Sequence, residues 1–303
     1  MNPRCPLCNS SHANVFYKAV TQYNDSEILQ CKDCGHVYSI IKTEIDVNKL
    51  YSDQVYKVVE NRNSIFDRII QWEYNRVLRQ MYKITPGRGN LLDFGCGKGK
   101  FGSLAQESGW RVKAVETAPD RAAYARDVYG LDVSSNFFTE GSIFNIRFNA
   151  LTLFHVLEHL PQPGVLLEQL VKGNLTENGM VVVEVPNLSS WQSKIAKENW
   201  IHLDVPRHIH HFSPKRLRKL LLDINLNPIK ISSFSFHLGV LGMVDSLLKK
   251  AGYKKNIIYE LKNKKSKTLI FFIALVLPIA FIMEGMASLL GKGGVIRMYL
   301  TRN

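Results

Sequence analysis

Four of the five cysteines fall in two pairs, Cys5-x-x-Cys8 and Cys31-x-x-Cys34, with residues 9–30 between them. Thiolates at this spacing can converge tetrahedrally on a Zn²⁺ ion, and Gly35, directly after the fourth cysteine, suits the tight turn of a metal knuckle. A rubredoxin-like iron site uses the same four ligands and stays open as the alternative. A four-thiolate shell leaves no vacant position, so the expected role is structural. Cys96 stands apart and reads as a small packing residue.

A second constellation is LLDFGCGKGKFGSLAQESG, residues 91–109. A strand ends in Asp93, and Gly95, Gly97 and Gly99 follow at alternate positions just before a helix. Glycine lets the backbone turn tightly and approach a ligand without a Cβ. The helix start adds unpaired N–H groups and a positive dipole end. The spacing is not G-x-G-x-x-G, and no Gly-Lys-Ser/Thr follows for a nucleoside triphosphate. Glu116 ends the next strand, about 20 residues on, where an acid can accept hydrogen bonds from ribose hydroxyls. The third group is histidines, at 155, 159, 202, 208, 210 and 211, three of them within PRHIHHF.

The elements that must hold these residues follow from the apolar pattern. Asn90–Phe94, Arg111–Glu116, Leu131–Ser134, Ala150–His155, Met180–Val185, Pro228–His237 and Val295–Thr301 read as strands. Phe101–Ser108, Arg121–Tyr129, Gly164–Lys172 and Pro214–Ile224 read as the helices between them. Continuous apolar strands separated by short helices imply an α/β fold, with a parallel sheet covered on both faces. Upstream, Ala13–Val20 and Val37–Ile41 look β-like, and residues 46–85 look helical up to Pro86-Gly87.

The glycine loop, the acid ending strand two, FHVLEHLPQPGVLLEQLVKGNLTENGMVVVEVPN (154–187) and DVPRHIHHFSPKRLRKLL (204–221) together resemble the class I S-adenosylmethionine-dependent methyltransferases. The resemblance covers roughly residues 50–237 plus the last strand. It implies a doubly wound seven-stranded sheet and S-adenosyl-L-methionine as cofactor. Asp93, Gly95, Gly97, Gly99 and Glu116 would bind that cofactor, with His155 lining its pocket. The PRHIHHF loop would face the pocket, where His208 or His211 could act as general base. Two positions depart from the family: Phe148-Asn149 stands where Phe-Asp is common, and VSSN leaves Asn136 as the candidate adenine contact. The 204–221 block is typical of a bacterial subgroup acting on small molecules, sugars and surface-glycan intermediates. FHVLEH replaces the Asn/Asp-Pro-Pro-aromatic motif of base N-methylation, which points to an oxygen or carbon acceptor.

Composition sets outer limits. The chain has 303 residues, 46% hydrophobic and 21% charged, which excludes a disordered, collagen-like or coiled-coil protein. Its net charge is +13, and residues 249–267 hold eight Lys and one Glu, so +7 of the excess sits in one stretch. Five cysteines are too few for a secreted disulfide scaffold. MNPRCPLCNSSHANVFYK has no apolar run after its basic residue, so a cytoplasmic location is expected. Leu269–Met283 is 15 apolar residues, broken by Pro278 and followed by Glu284. That is short of the about 20 needed to span a bilayer. Beside the Lys cluster it suits peripheral contact with the inner face of a membrane through 249–290, or a buried helix behind a solvated loop.

The expected organisation is a zinc ribbon (1–45), a helical lid or linker (46–89), and a methyltransferase domain (90–303) with a basic, apolar insert at 238–293. The expected activity is O- or C-methylation of a small-molecule or lipid-linked sugar-type acceptor. One alternative is an RNA methyltransferase using the ribbon to bind RNA. The Lys residues are not interleaved with stacking aromatics, which argues against a nucleic-acid partner. The other alternative is a cofactor-binding scaffold without activity.

Overall fold

The computed structural model describes residues 4–18, 26–41, 64–138, 140–253, 255, 257, 260 and 267–302. The expected helix over 46–63 and the Lys residues of 262–265 lie outside them. The chain folds as two compact units. One joins Met1–Lys57, Pro186–Arg216 and Ser232–Ile296; the other joins Val58–Val185, Leu217–Ile231 and Arg297–Asn303. The insert at 238–293 falls within the unit that carries the cysteines.

The first unit begins with β1 (Ala13–Lys18), β2 (Ser26–Cys31) and β3 (Val37–Ile41). They form an antiparallel meander with Ala13 opposite Cys31 and Ser26 opposite Ile41. Cys5, Leu29, Cys31 and Tyr38 are its buried core.

The second unit opens with α1 (Ile65–Ile84), capped by Ser64, whose Oγ accepts from the Asp67 N–H. Then come β4 (Asn90–Phe94), α2 (Lys100–Glu107), β5 (Arg111–Val115), α3 (Pro119–Tyr129) and β6 (Asp132–Ser134). After these come β7 (Phe148–Phe154), α4 (Pro163–Asn174) and β8 (Leu175–Pro186). Leu91, Ala114, Ala150, Met180 and Val182 bury one face of the strands against Phe101, Leu104, Ala122 and Met81 of the helices.

Past β8 the chain returns to the first unit through α5 (Trp191–Ala196) and β9 (His210–His211). β9 pairs antiparallel with β3, placing His211 opposite Val37. This fourth strand is two residues long and carries no periodic signal, so the sequence does not reveal it. α6 (Pro214–Asp223) and β10 (Leu226–Ser232) follow. β10 ends five residues before His237, because the Ser235 side chain caps a new turn by accepting from the Leu238 N–H. α7 (Leu241–Lys250) and α8 (Lys267–Leu289) come next, and β11 (Val295–Arg302) closes the chain.

Pro278 does not break the apolar run: α8 continues through it for 23 residues. Leu269, Ile273, Val276, Leu277 and Ala280 of α8 pack with Val240, Met243 and Val244. That packing outweighs the about 3 kcal/mol cost of an internal proline.

The seven-stranded sheet runs β10-β11-β8-β7-β4-β5-β6. The pairs β6/β5, β5/β4, β4/β7 and β7/β8 are parallel. From β4 the chain winds outward to β6, then returns to β7 on the other side and winds the opposite way. The loops after β4 and β7 thus part at the point where strand order reverses, which is where open α/β sheets form a ligand crevice.

Candidate functional site

The three glycines at the carboxyl end of β4 all have positive φ: +77° at Gly95, +56° at Gly97 and +82° at Gly99. Packing excludes a side chain at two of them. A Cβ on Gly95 would lie 2.5 Å from Val156 Cγ2. One on Gly99, the N-cap of α2, would lie 2.6 Å from Leu131 Cδ1 and 2.9 Å from Ala125 Cβ. At Gly97 nothing stands within 4 Å. Gly95 and Gly99 are dictated by packing, whereas the Cβ side of Gly97 borders open space.

Glu116 ties this loop to the end of β5. Its carboxylate accepts from the Gly97 N–H at 2.9 Å and from the Ala118 N–H at 2.8 Å. Asp93 lies beneath, buried, and accepts the Thr152 hydroxyl at 2.7 Å. Burial pushes its pKa up to about 7; the Thr152 bond opposes the rise and the Glu116 charge adds to it. Asn136 is exposed in the loop after β6, with its N–H directed to Ser134 Oγ at 3.4 Å.

Across the switch point, His155 adopts φ +56° directly after β7. Its N–H reaches the Glu184 carbonyl at 2.8 Å. Its ring is held between two buried carboxylates, Nδ1 to Glu158 at 3.2 Å and Nε2 to Glu184 at 3.0 Å. Burial alone would lower its pKa, but the bonds and charges of Glu158 and Glu184 prevail and raise it to about 10. His155 is therefore an imidazolium at neutral pH. Glu184 also pairs with Arg297, which donates to Glu73 at 3.0 Å. Glu158, His155, Glu184, Arg297 and Glu73 form one chain of alternating charge.

Sequence reasoning placed His155 near the pocket but missed Glu73, Glu184 and Arg297. A signal was present. Glu73 occupies the apolar face of α1 between Ile69 and Val77, while Glu184 and Arg297 interrupt VVVEVP and VIRMYL. Charges inside apolar runs imply partners, since unpaired buried charges are prohibitively costly.

Asn149, where the resemblance led one to expect an acid, sits at the amino end of β7, on the edge opposite the glycine loop. Its Oδ1 accepts the Asn90 N–H at 2.9 Å. It fastens the start of β4 rather than the ligand crevice.

His208 and His211 belong to the first unit. His211 is buried, with Nε2 2.8 Å from Ser39 Oγ. The Nδ1 of His208 donates to the His202 carbonyl at 2.8 Å, and its Nε2 lies 3.8 Å from Asp204 Oδ2.

The cysteines do converge. Cys5 and Cys34 Sγ are 3.6 Å apart, as are Cys8 and Cys31. All four sulfurs lie within 4.8 Å of one another. A disulfide needs about 2.05 Å, whereas sulfurs at about 2.3 Å around one tetrahedral ion stand roughly 3.8 Å apart. Backbone N–H groups of Cys34 and His36 point at Cys31 and Cys34 Sγ at 3.5 and 3.4 Å, as thiolates require. The donor set fits a thiolate-bound metal ion.

The family model described as "Methyltransferase domain" matches residues 66–231, more than half of the chain. The fold is similar to that of an S-adenosylmethionine-dependent methyltransferase from Archaeoglobus fulgidus, at 18% identity and a TM-score of 0.52. That match covers 85% of this chain and all of the other. It is also similar to the plantazolicin methyltransferase BpumL, solved with S-adenosylhomocysteine, at 14% identity and a TM-score of 0.50. Here 84% of this chain and 93% of that one are covered. No curated protein matches the sequence. With the strand order, the glycine loop and the Glu116 tether already in place, these matches show that the chain belongs to the methyltransferase-domain family, on the α/β fold of the S-adenosylmethionine-dependent enzymes.

Proposed function

We propose that this protein transfers the methyl group of S-adenosyl-L-methionine to a hydroxyl or carbon of a small-molecule or lipid-linked, sugar-type acceptor, and that it works in the cytoplasm. The observation that carries the reading is the glycine loop. Gly97 leaves open space on its Cβ side at the topological switch point, and Glu116, which holds the Gly97 N–H, stands at the adjoining strand end where ribose hydroxyls would reach it. Asp93, Gly95 and Gly99 shape the loop, and Asn136 and His155 border the same strand ends.

The sulfonium is already a strong electrophile, so the protein's task is positioning and proton removal. His208 is the candidate base we favour: its Nδ1 donates to the His202 carbonyl and its Nε2 stands 3.8 Å from the Asp204 carboxylate. His211 is engaged with Ser39 within the ribbon sheet. Cys5, Cys8, Cys31 and Cys34 would hold a structural Zn²⁺ that fixes the ribbon.

The experiment is incubation of the protein with methyl-labelled S-adenosyl-L-methionine and extract from cells lacking the gene. Label is then counted in lipid, small-molecule and RNA fractions. Label in lipid or sugar supports the reading. Label in RNA overturns it in favour of an RNA methyltransferase, and no transfer to any fraction favours a cofactor-binding scaffold.

A further inference from the structure

The 23-residue helix α8 has two different faces. Leu269, Ile273, Val276, Leu277, Ala280, Met283 and Ala287 turn inward along its whole length. Phe271, Leu275, Ile282 and Leu289 point out and are 65, 62, 61 and 90% exposed. From Thr268 to Leu290 the only charged residue is Glu284. It is buried, accepting from the Gly294 N–H at 2.7 Å and Gln192 Nε2 at 3.1 Å. The outward face is therefore apolar from end to end. An uncharged patch of this extent is what a soluble monomer avoids and a membrane-binding surface requires.

We propose that this outward face of α8 seats in the headgroup boundary of an anionic phospholipid bilayer, with the helix lying in the membrane plane. The inference is independent of the methyl-transfer reading. Two observations choose the occupant and the pose. First, Lys249 being paired with Asp245, the sequence leading into α8 still holds seven Lys against one Glu over residues 250–267, and Lys292 follows it. Basic residues flanking an apolar helix complement anionic headgroups. The acid of α8 is the buried Glu284, so a second copy of the chain would bring another such excess and no exposed acid on this helix to meet it.

Second, the inward stripe runs from Leu269 to Ala287, with Leu269, Ala280 and Ala287 buried and Ile273, Val276, Leu277 and Met283 partly buried. A spanning helix would have to abandon that packing, or pull α7, with its buried Asp245–Lys249 ion pair, into hydrocarbon. Length alone permits a span; the packed stripe holds the helix flat.

The test is flotation of the full chain with vesicles of phosphatidylcholine alone or mixed with phosphatidylglycerol. Flotation is expected with the mixed vesicles only, weakening as salt rises. Phe271→Glu, Leu275→Glu and Ile282→Glu together should lower partitioning by more than about tenfold. Circular dichroism and denaturation midpoints should stay near those of the wild type. If that variant fails to fold, Lys262→Gln, Lys264→Gln and Lys265→Gln serves instead; it leaves the apolar face intact and should reduce binding to anionic vesicles alone. Equal flotation with both vesicle types, resistance to alkaline carbonate extraction, or a dimer that the triple Glu variant dissociates without any flotation would each overturn the proposal.

Discussion

Gly97→Ala and Gly99→Ala add the same methyl group to the same loop, both at positive φ, and should fail in opposite ways. The left-handed backbone costs an alanine about 1–2 kcal/mol. Restricting the unfolded chain returns about 0.4–1 kcal/mol. At Gly97 no atom meets the new methyl, so Gly97→Ala should lose only about 1 kcal/mol of stability. At Gly99 the methyl lands 2.6 Å from Leu131 Cδ1 and 2.9 Å from Ala125 Cβ. Overpacking of that kind adds about 1–3 kcal/mol, for a total near 2–4 kcal/mol. Urea unfolding gives the stabilities, and calorimetry with S-adenosylhomocysteine gives the affinities. Gly97→Ala should be nearly as stable as wild type yet bind at least about tenfold more weakly, a loss of about 1.4 kcal/mol. Should it bind as wild type does, the open face of Gly97 is not where the cofactor approaches, and the assignment of the loop fails.

Other perturbations probe the neighbouring groups. Asp93 has its folded pKa raised to about 7 from an ordinary 3.8, so the native state binds its proton more tightly and loses stability as pH climbs between those values. Asp93→Asn should flatten that part of a stability–pH curve measured by urea midpoints; an unchanged slope refutes the assignment. His155 is shifted upward to about 10 from 6.5, so its contribution is full below pH 6.5 and disappears as pH rises through 10. His155→Gln strips the cation from Glu158 and Glu184 and should cost about 3 kcal/mol at neutral pH. A deficit that persists undiminished above pH 10 contradicts this. Glu116→Ala leaves the Gly97 and Ala118 N–H groups without their acceptor. It should weaken cofactor binding by about 1–3 kcal/mol in calorimetry, and unaltered affinity discards its role. Metal analysis should find one zinc per chain, lost in Cys31→Ser, with a chelator collapsing the ribbon sheet's circular dichroism signal. A metal-free ribbon indifferent to chelation would refute the site.

What the sequence disclosed was governed by local spacing. β4 and the start of β11 fall where the apolar runs place them, because strands buried on both faces need no long-range information to be recognised. The glycine trio and the two cysteine pairs are equally local. What stayed hidden depends on partners remote in the chain. Glu73 meets Arg297 across 224 residues, and neither position announces the other. The continuation of α8 through Pro278 is decided by an inward stripe packing on α7, which propensity does not encode. The departure at Asn149 looked like a cofactor feature and proved to be a clamp on Asn90, since only the fold shows which end of a strand faces the crevice.

The two-residue strand β9 has a consequence for how the protein is made. Its pairing with β3, and the 2.9 Å bond between His36 Nε2 and His210 Nδ1, join positions 174 residues apart. The ribbon's first three strands emerge from the ribosome early, but their fourth follows only after roughly 10–30 s of further synthesis at ordinary rates. During that interval the outer edge of β3 has no strand to pair with, and an exposed edge invites association with other chains. A metal ion captured by the four cysteines would hold the meander in register while the rest of the chain is produced. Metal supply should then govern the yield of soluble protein during translation more strongly than it governs the stability of the finished fold.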